Sequence, residues 1–537
     1  MMKMLDHSHV RIPPDSTGKR MLHSMYMIIH YQYADELPGF GELVLGSISG
    51  ASATIVYVDP NNTLQNGYIG VMSDKFSDTV FANGDTIISH GANVGTVVGC
   101  NAFYQPYTHI AGGNDTVNLV QVDNKGSMYT RFAEGEPQMD SFANLKVSDS
   151  VLLGEYAFPY NVINYRWHIT EENGGAVSYQ DQIKGMLLQN NTTINAKTAM
   201  TTHQYHHYTP GKGQTIQCTV ACGDNGKENV IRRWGYYDDY DGIYFELNQN
   251  TVYACIRSSV SGTVVEKRVP RSNWNRDRLT GMGGHYNYSR HAIDCSKNTI
   301  YEFDFQWLGA GTVRFFVNVN GTRVPCHEEH NSGRYAVPYM RTGSLPFRVE
   351  QINTNATAST SEMRFYSAAV VTDGDFTPFH AKYGIENSFS RTISGPTSVP
   401  HASFRLSEML HGLENRGIAI INDVTIYSST EPITVSMVMN AELTGALWQK
   451  AHVCPDSMVE IDKDATAFAG GRLINTLILH PGESHIIDTR EIFNTIGEFA
   501  LRRKYDITEY FSLTMTVKSL NGNPTDVYAC ANWEEVL

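Results

Sequence analysis

Short runs of β-branched and aromatic residues, separated by clusters of Gly, Asn and Asp, recur along this chain and constrain its fold more than any other feature. In "GTVRFFVNVNGTRV", residues 311–324, the pair Asn320-Gly321 stands between two alternating segments. A type I′ turn needs positive φ at both central positions, so this stretch predicts a β-hairpin. The apolar residues of its first strand share one face: Val313, Phe315, Val317 and Val319. We therefore predict a chain that is mostly β.

Helical periodicity is scarce. In "RLSEMLHGLEN", residues 405–415, the apolar positions Leu406, Met409, Leu410 and Leu413 follow helical spacing. Gly412 weakens a helix, and the following "GIAIINDVTIYSS" is strand-like. This segment is predicted as either a short helix or an irregular strand.

Size and charge restrict the classes of protein that this chain can belong to. With 537 residues, of which 41% are hydrophobic and 11% aromatic, it is long enough for two to four globular domains. The net charge of -14 offers no basic surface, so we expect no nucleic-acid partner and no binding to anionic membranes. No run reaches the roughly 18 apolar residues that a membrane-spanning helix needs, so no membrane span is expected. The segment "MLHSMYMII", residues 21–29, is interrupted by polar residues and is not expected to be a signal peptide.

The cysteines indicate a reducing compartment. Eight cysteines in a chain of this size are too few for a disulfide scaffold. Cys218 and Cys222 form the closest pair, and in a strand they stand about 13 Å apart, beyond the disulfide limit of about 7 Å. We expect the cysteines to behave as small buried hydrophobic residues and the chain to fold in a reducing cytosol.

A weak internal repeat lies near the start of the chain. "GELVLGSISGASATIVYV", from Gly41, and "GDTIISHGANVGTVVGC", from Gly84, share a Gly-acid start, a central Gly-Ala and a β-branched end. Two such units predict a small pseudo-symmetric barrel or sandwich, and chance similarity of Gly-rich β segments is the alternative. We divide the chain into an N-terminal arm (1–38), a small β domain with two half-repeats (39–130), a central β-sandwich (131–386) and a C-terminal β-sandwich (387–537).

The central region alternates as a two-sheet sandwich does. In "GIYFEL", Ile243, Phe245 and Leu247 fall on one face, and Tyr244 and Glu246 fall on the other. "IYEFDFQWLGAG" repeats the pattern with Tyr301, Phe303, Phe305 and Trp307. One face of each strand is predicted to pack inward while the other meets water.

The order of several blocks in this region resembles the central module of large virion structural proteins of tailed bacteriophages. The blocks are "RRWGYYDDYDGIYFEL", "ACIRSSVSGTVVEKRV", "NWNRDRLTG", "YEFDFQWLGAGTVRFFVNVNG" and "LPFRVEQINT", and the resemblance spans roughly residues 140–375. The flanks "GELVLGSISGASATIVYV", "TGALWQ" and "DATAFAGGRLINTLILHPGESHIIDT" resemble segments of the same proteins. The resemblance implies a concanavalin-like jelly-roll sandwich and membership of a virus particle, as a fibre, spike, decoration or tail component. It implies no shared catalytic activity, so no catalytic residue is carried over.

The stretch around residue 236 is the candidate binding site. Trp234, Tyr236, Tyr237 and Tyr240 could offer flat apolar surface, and Asp238, Asp239 and Asp241 could accept hydrogen bonds from sugar hydroxyls. The alternative interpretation makes the aromatic residues core or cross-strand partners, and the aspartates an Asx-type turn before the next strand. The candidate glycan site therefore comprises Trp234, Tyr236, Tyr237, Asp238, Asp239 and Asp241.

The sequence motifs for a metal site or an enzyme are weaker than those for the candidate glycan site. An EF-hand would need acidic ligands where Tyr237 and Asn248 stand, so only an irregular calcium site at the aspartates stays open. "HQYHHY" (203–208) and "HEEH" (327–330) are interpreted as surface or satisfied structural histidines, and "HEEH" is one residue short of zincin spacing. "GSISG" lacks the nucleophilic Ser, and "GKGQT" is no P-loop. We predict no enzyme, no cofactor and no metal, although a glycosidase carboxylate pair need be close only in space.

The expected function is therefore a structural one. We expect a surface fibre, spike or tail protein of a tailed phage, folded and assembled in the host cytoplasm and present in the virion. Expected partners are capsid, neck or tail proteins, further copies of the chain, of which a trimer is one option, and a host-surface glycan. The polar arm "MMKMLDHSHVRIPPDSTGKR" is expected either to order against another subunit or to stay a free tail. Two alternatives stay open, namely a capsid decoration protein and a glycan-binding adhesin or depolymerase.

Overall fold

The computed structural model describes residues 25–37, 39, 41–58, 62–73, 81–89, 91–103, 107–111, 117–121, 146, 148–282, 286–374, 380–489 and 500–536. Within these ranges the chain forms 37 strands and two 3₁₀ turns, Asn164–Arg166 and Arg271–Asn273. The chain divides into two compact units, Met1–Pro137 and Gln138–Leu537.

Six antiparallel strands of the first unit close into a barrel in the order β1-β4-β3-β2-β5-β6. They are β1 (Met25–Gln32), β2 (Leu43–Gly46), β3 (Ser52–Val58), β4 (Asn66–Ser73), β5 (Thr86–Ser89) and β6 (Ala92–Phe103). A separate hairpin pairs β7 (Tyr107–Ala111) with β8 (Val117–Gln121). The barrel core is made of alternating apolar residues such as Val44, Ile55, Ile69 and Ile87, all fully buried.

The two half-repeats form corresponding hairpins of this barrel. The first repeat builds β2 and β3, the second builds β5 and β6, and β2 pairs with β5 so that the hairpins are neighbours. The barrel also takes in β1, which lies inside the segment predicted as an arm. Ile29 and Tyr31 of β1 are fully buried, because the alternation of this strand places them in the barrel core. The remainder of the predicted arm, residues 1–24, lies outside the described residues.

The central sandwich consists of two large antiparallel sheets. The seven-stranded sheet has the order β10-β13-β22-β15-β16-β17-β18, and the eight-stranded sheet has the order β11-β12-β23-β14-β19-β20-β21, with β9 paired to β23. The strands are β9 (Ser150–Ala157), β10 (Trp167–Glu172), β11 (Gly175–Gln180), β12 (Gly185–Asn190), β13 (Lys197–Thr202), β14 (Gln214–Ala221), β15 (Val230–Tyr237), β16 (Gly242–Asn248), β17 (Thr251–Ser258), β18 (Val265–Pro270), β19 (Thr299–Phe305), β20 (Val313–Val319), β21 (Thr322–Glu329), β22 (Phe347–Asn353) and β23 (Ser361–Asp373).

The predicted alternation of β16 holds for its inward face, but its other face does not meet water, because Tyr244 and Glu246 are fully buried as well. Ile243, Phe245 and Leu247 of β16 lie inside the core of this sandwich and are almost fully buried. The hairpin predicted at Asn320-Gly321 joins β20 to β21, with φ of 50° and 76° at the two turn residues, as a type I′ turn requires. Aromatic rings from the two sheets pack against each other in tilted or edge-to-face geometry. Phe245 and Phe315, for example, meet edge to face with 5.4 Å between ring centroids.

The C-terminal sandwich pairs a four-stranded sheet, β24-β37-β28-β35, with a six-stranded sheet, β31-β32-β25-β36-β29-β34. The strands are β24 (Ala381–Ile393), β25 (Val399–Leu406), β26 (Met409–Leu410), β27 (Leu413–Glu414), β28 (Ile418–Ser428), β29 (Ile433–Met439), β30 (Glu442–Thr444), β31 (Gln449–Lys450), β32 (Val459–Asp462), β33 (Ala467–Ala469), β34 (Arg472–Leu479), β35 (Ser484–Asp488), β36 (Leu513–Ser519) and β37 (Thr525–Val536). Its core is separate from that of the central sandwich and is built around the fully buried Trp533.

The segment with helical spacing is not a helix. Met409–Leu410 and Leu413–Glu414 pair as a minimal hairpin. The turn between them has positive φ at His411 (49°) and Gly412 (80°), which a helix does not allow. Of the two predicted structures, the irregular strand is therefore the one that forms.

The predicted fold class is confirmed. Nearly all regular structure in the described part is antiparallel β, and β-sandwiches follow one another along the chain, the central one a concanavalin-like pair of large sheets. The domain boundaries stay predictions. Cys218 and Cys222 are buried and unbonded to each other. In the described residues, no helix has the length and apolarity for crossing a membrane.

Candidate functional site

The aromatic residues of the predicted glycan site lie inside the molecule. Trp234 and Tyr236 have no exposed surface, because even-numbered residues of β15 point into the central core. The ring of Trp234 lies 4.8 Å from that of Tyr301 between centroids. The hydroxyl of Tyr236 donates to the His206 carbonyl at 2.9 Å. For these two residues the structure agrees with the alternative interpretation, in which they belong to the core.

Tyr237 faces the opposite side of the sheet but is also fully buried. The guanidinium carbons of Arg257 and Arg348 lie 5.3 and 5.4 Å from its ring centroid, a cation–π arrangement. Burial holds its pKa well above the ordinary value, so the phenol is neutral. Among the described residues its hydroxyl has no hydrogen-bond partner. The rings of Trp234, Tyr236 and Tyr237 are therefore covered by the protein's own side chains, whereas Tyr240 is 48% exposed, with the Arg341 guanidinium 5.2 Å from its ring centroid.

The aspartates form the turn between β15 and β16. One carboxylate oxygen of Asp238 accepts hydrogen bonds from the backbone N–H of Tyr240 and of Asp241, each at 2.8 Å, which is an Asx turn. The carboxylate of Asp241, which is 1% exposed, accepts from the Ser259 hydroxyl at 2.8 Å and from Arg341 Nε at 2.9 Å. Burial raises the pKa of Asp238 despite the backbone donors. Both carboxylates serve the turn rather than an open site.

Asp239 differs from its neighbours because it joins the two sandwiches. Its side chain is 62% exposed, accepts from Arg348 Nη1 at 2.7 Å and accepts from the Tyr505 hydroxyl at 2.6 Å. Arg348 also donates to the Tyr505 hydroxyl at 3.1 Å. Burial raises the pKa of Asp239, but the charge of Arg348 and the Tyr505 hydrogen bond outweigh it and hold the pKa below its usual value. We call Asp239, Arg348 and Tyr505 the junction triad.

Further contacts extend the junction beyond the triad. The guanidinium of Arg416 lies 4.2 Å from the ring centroid of Tyr205, and its Nη1 donates to the Lys504 carbonyl at 2.6 Å. The rings of His168 and Tyr505 are 5.1 Å apart. The central sandwich and the C-terminal region are thus bound by charged and aromatic side chains that meet directly.

The outer face of the seven-stranded sheet carries a dense ionic network, which we call the charged face. It consists of four arginines and three glutamates: Arg233, Arg257, Arg268, Arg348, Glu246, Glu266 and Glu350. Glu246, which is fully buried, accepts from Arg233 Nε at 2.8 Å and also pairs with Arg268. Arg257 Nη2 and Glu266 are 2.6 Å apart. Each glutamate therefore has at least one arginine partner.

Electrostatics keep two of these carboxylates, Glu350 and Glu266, charged. Burial raises the pKa of Glu350, but Arg348, Arg233 and Lys197 outweigh it, so the pKa lies below its ordinary value. Burial likewise raises the pKa of Glu266, but nearby arginines, Arg233 first, outweigh it and hold the pKa below its ordinary value. A general acid at neutral pH needs a raised pKa, which these two groups do not have. Their arrangement can brace the sheet through charge-assisted hydrogen bonds.

The predicted structural histidines lie in packed surroundings. His206 is fully buried between the Tyr156 hydroxyl, at 2.9 Å, and the Leu345 carbonyl, at 3.1 Å. Burial lowers its pKa to about 3, and burial with nearby Lys504 lowers that of His203 to about 3. His327 is buried on β21, whereas His330 is exposed and contacts Thr312. Within the described ranges, no three His, Cys, Asp or Glu side chains are grouped in a way that could hold a metal.

A shallow cavity of about 720 Å³ lies on the outer face of the four-stranded sheet. One residue from each strand forms a row across it, in the order Asp488, Asp423, Asn532 and Gly384, which we call the polar row. Asn532 Nδ2 donates to Asp423 Oδ1 at 2.8 Å. Because Gly384 has no side chain, the space above the Asn532 amide is open. A Cβ at position 384 would lie 2.6 Å from Asn532 Oδ1. Ile486, which is 72% exposed, adds an apolar patch to the lining.

Sequence reasoning missed both the charged face and the polar row. The alternation of β15 to β17 could have indicated the former, because Arg233, Glu246 and Arg257 all stand at outward positions. No comparable signal exists for the polar row, whose four members come from strands that are distant in sequence.

Comparisons with known proteins are limited to distant structural similarity. No family model matches the chain, and no curated protein matches it. Among solved structures it is similar to the endo-β-1,4-glucuronan lyase of the fungus Trichoderma reesei, with 13% identity, a TM-score of 0.29, and coverage of 42% of this chain and 97% of the lyase.

Two further structures are similar to the same degree. An endo-1,3-β-glucanase of Streptomyces sioyaensis has 10% identity, a TM-score of 0.30, and coverage of 42% and 97%. The carbohydrate recognition domain of Emp47p has 12% identity, a TM-score of 0.25, and coverage of 41% and 95%. Similarity at this level supports no inference about a ligand or an activity.

Proposed function

We propose that this chain is a non-enzymatic structural subunit of a tailed-phage virion, in a surface fibre, spike or tail part. The block order "RRWGYYDDYDGIYFEL" to "LPFRVEQINT" is the basis for the phage assignment. The structural observation that supports a mechanical role is the junction triad, which ties the two sandwiches of one unit together.

The junction triad favours a rigid connection because its members restrain each other. Arg348 is 4% exposed, and it is held from the other side by Glu350. A charged pair that is buried on one side and hydrogen-bonded at several atoms has few alternative geometries. Two sandwiches linked in this way move as one body, which suits a projection that must keep its outer end at a defined place.

The charged face supports the same role. Its arginines and glutamates pair with one another, Arg233 with Glu246 and Glu350, Arg257 with Glu266, and Arg348 with Glu350. Replacing one member leaves a buried charge without its partner, which is strongly unfavourable. The face therefore stiffens the sheet.

Quantitative mass spectrometry of purified phage particles tests this function. We expect the chain in the virion at a copy number far below that of the major capsid protein, together with capsid, neck or tail proteins. A copy number close to that of the major capsid protein would instead indicate a decoration protein. Absence from particles that are infectious would rule out the proposed role.

Glycan binding is the second candidate function, and the polar row is the observation that favours it. Paired carboxylate and amide groups beside an apolar patch can bind sugar hydroxyls and a sugar's apolar face. Asp423 and Asp488 stand directly opposite each other, so the local charge disfavours acidic sugars. A neutral or amino-bearing host-surface oligosaccharide is the ligand class that fits, and its binding would give the projection an attachment role.

Binding of chitosan, dextran and polygalacturonate oligomers, measured by calorimetry, separates these ligand classes. We expect the amino-bearing or the neutral oligomer to bind, and the acidic one not to bind. Gly384→Val, which fills the space above Asn532, should abolish binding, while Asn250→Ala in a turn of the central sandwich should not affect it. Binding that survives Gly384→Val would exclude this site, and release of reducing ends would favour a depolymerase.

A further inference from the structure

Strand β34 forms the edge of the six-stranded sheet in the C-terminal sandwich. It pairs with β29 on one side, and no described strand pairs with its other side. An edge of this kind presents a row of backbone N–H and C=O groups that can pair with another strand. Soluble proteins usually protect such edges with charges, proline or short length.

This edge has little of that protection. Its sequence, "RLINTLIL", contains eight residues, no proline and a single charge at its first position. Leu473 is 62% exposed, Ile478 is 64% exposed and Leu477 is 36% exposed. One protective device is present, a bulge at Ile474, where the register with β29 shifts. The regular part of the edge is therefore Asn475–Leu479.

The charge around β34 favours a second copy of this chain as the partner. Residues 465–482, "ATAFAGGRLINTLILHPG", contain no acidic residue, although the chain carries 55 acidic residues and a net charge of -14. Two copies would repel each other over most of their surface and least of all here. A basic partner would find no acidic group on this edge to recognise.

Register gives a second argument for self-association. When two identical strands pair antiparallel around a two-fold axis, each residue lies opposite a residue on the same face of the sheet. The axis therefore passes between one residue and its own copy. An axis through Leu477 places Leu477 opposite its own copy, and Thr476 opposite Ile478. β-Branched and apolar residues then meet across the interface, which stabilises antiparallel pairs.

We propose that β34 is a homodimer interface, in which two copies pair antiparallel about Leu477 and join their six-stranded sheets into one. The proposal deepens the structural role proposed above and rests on it for its biological meaning. The exposed Ile478 is covered in the process. Pairing of five residues per copy is a small contact, well under the roughly 1,000 Å² of a stable interface, so the dimer is weak and concentration-dependent.

Sedimentation velocity of the full chain across a range of concentrations tests the association. The wild-type protein should shift from monomer to dimer as concentration rises. Ile478→Lys places a charge opposite Thr476 of the other copy and on the diagonal to its own counterpart, and should raise the dissociation constant at least about tenfold. Leu413→Lys, at a residue 73% exposed outside β34, should leave the dissociation constant unchanged.

Cysteine cross-linking under a mild oxidant tests the register, with the wild-type chain as background for Cys454 and Cys530. Leu477→Cys should form a covalent dimer, because directly opposite Cβ atoms are about 4.5–5.5 Å apart. Thr476→Cys alone should not, because the two cysteines would be about 7–8 Å apart on the diagonal. Adding Ile478→Cys to Thr476→Cys should restore the cross-link.

Two outcomes would overturn the proposal: a wild-type chain that stays monomeric at every concentration, or a dimer that Ile478→Lys does not weaken and Leu477→Cys does not trap. Virion membership is measured separately, by mass spectrometry of particles. A chain found in virions but monomeric in solution would contradict the β34 interface alone, and a β34 dimer absent from virions would contradict the structural role alone.

Discussion

Replacing Trp234 by alanine removes one of the largest fully buried side chains of the central sandwich. A buried aromatic side chain covers about 150–250 Å², worth about 4–6 kcal/mol at roughly 25 cal/mol per Å². The indole N–H has no hydrogen-bond partner among the described residues. Removing it also removes the cost of burying an unpaired donor, which offsets part of the lost burial energy. We expect Trp234→Ala to lower the free energy of unfolding by about 3–5 kcal/mol.

Trp234→Phe is the matched control. It keeps a ring against Phe245 and Tyr301 while it removes the unpaired N–H, so we expect a loss of only about 1–2 kcal/mol. Tyr236→Phe provides a contrast, because it removes the hydroxyl that donates to His206 and accepts from the Leu345 N–H at 3.0 Å.

Urea unfolding followed by circular dichroism measures all three variants. A loss below about 1 kcal/mol for Trp234→Ala, accompanied by loss of sugar binding, would refute the core assignment and restore the residue to a binding site.

Three further predictions concern charges and pH. Glu350→Ala should lower the free energy of unfolding by about 3–5 kcal/mol, because it removes the buried carboxylate that pairs with both Arg348 and Arg233; thermal melts check it. Asp241→Ala should cost more stability than Asp239→Ala in the same melts, since Asp241 is buried with four donors while Asp239 is mostly exposed. His203 has a folded pKa of about 3 against an ordinary 6.5, so protonation favours the unfolded state and stability falls as pH drops from 6.5 towards 3. His203→Gln should reduce that fall, while His206, whose pKa is also about 3, keeps its own contribution; an unchanged pH profile would contradict the assignment.

The sequence was sufficient to predict features governed by local alternation. Val313, Phe315 and Val317 all lie in the core, and the turn at Asn320-Gly321 forms, because a strand's period of two and a turn's φ requirement depend on neighbouring residues alone. The helical spacing at Leu406 was misleading because the positive φ at Gly412 and the adjoining strands decide that segment.

Features that depend on distant residues were not predictable in this way. The stretch around Tyr237 contains the residue types of a sugar site, yet the Tyr237 ring is covered by two arginines, and Trp234 and Tyr236 lie in the core. Tyr505, which joins Asp239, is 266 residues away along the chain. The polar row likewise depends on the register of four strands, which composition does not specify.

The copy number of this chain in purified virions tests the central claim most directly. Particles of the phage that is proposed to encode it would be purified, and the chain would be quantified against the major capsid protein by mass spectrometry, with antibody labelling in the electron microscope. The structural role predicts a small, fixed number of copies per particle and label at a surface projection or the tail. Infectious particles that contain none of the chain would contradict it.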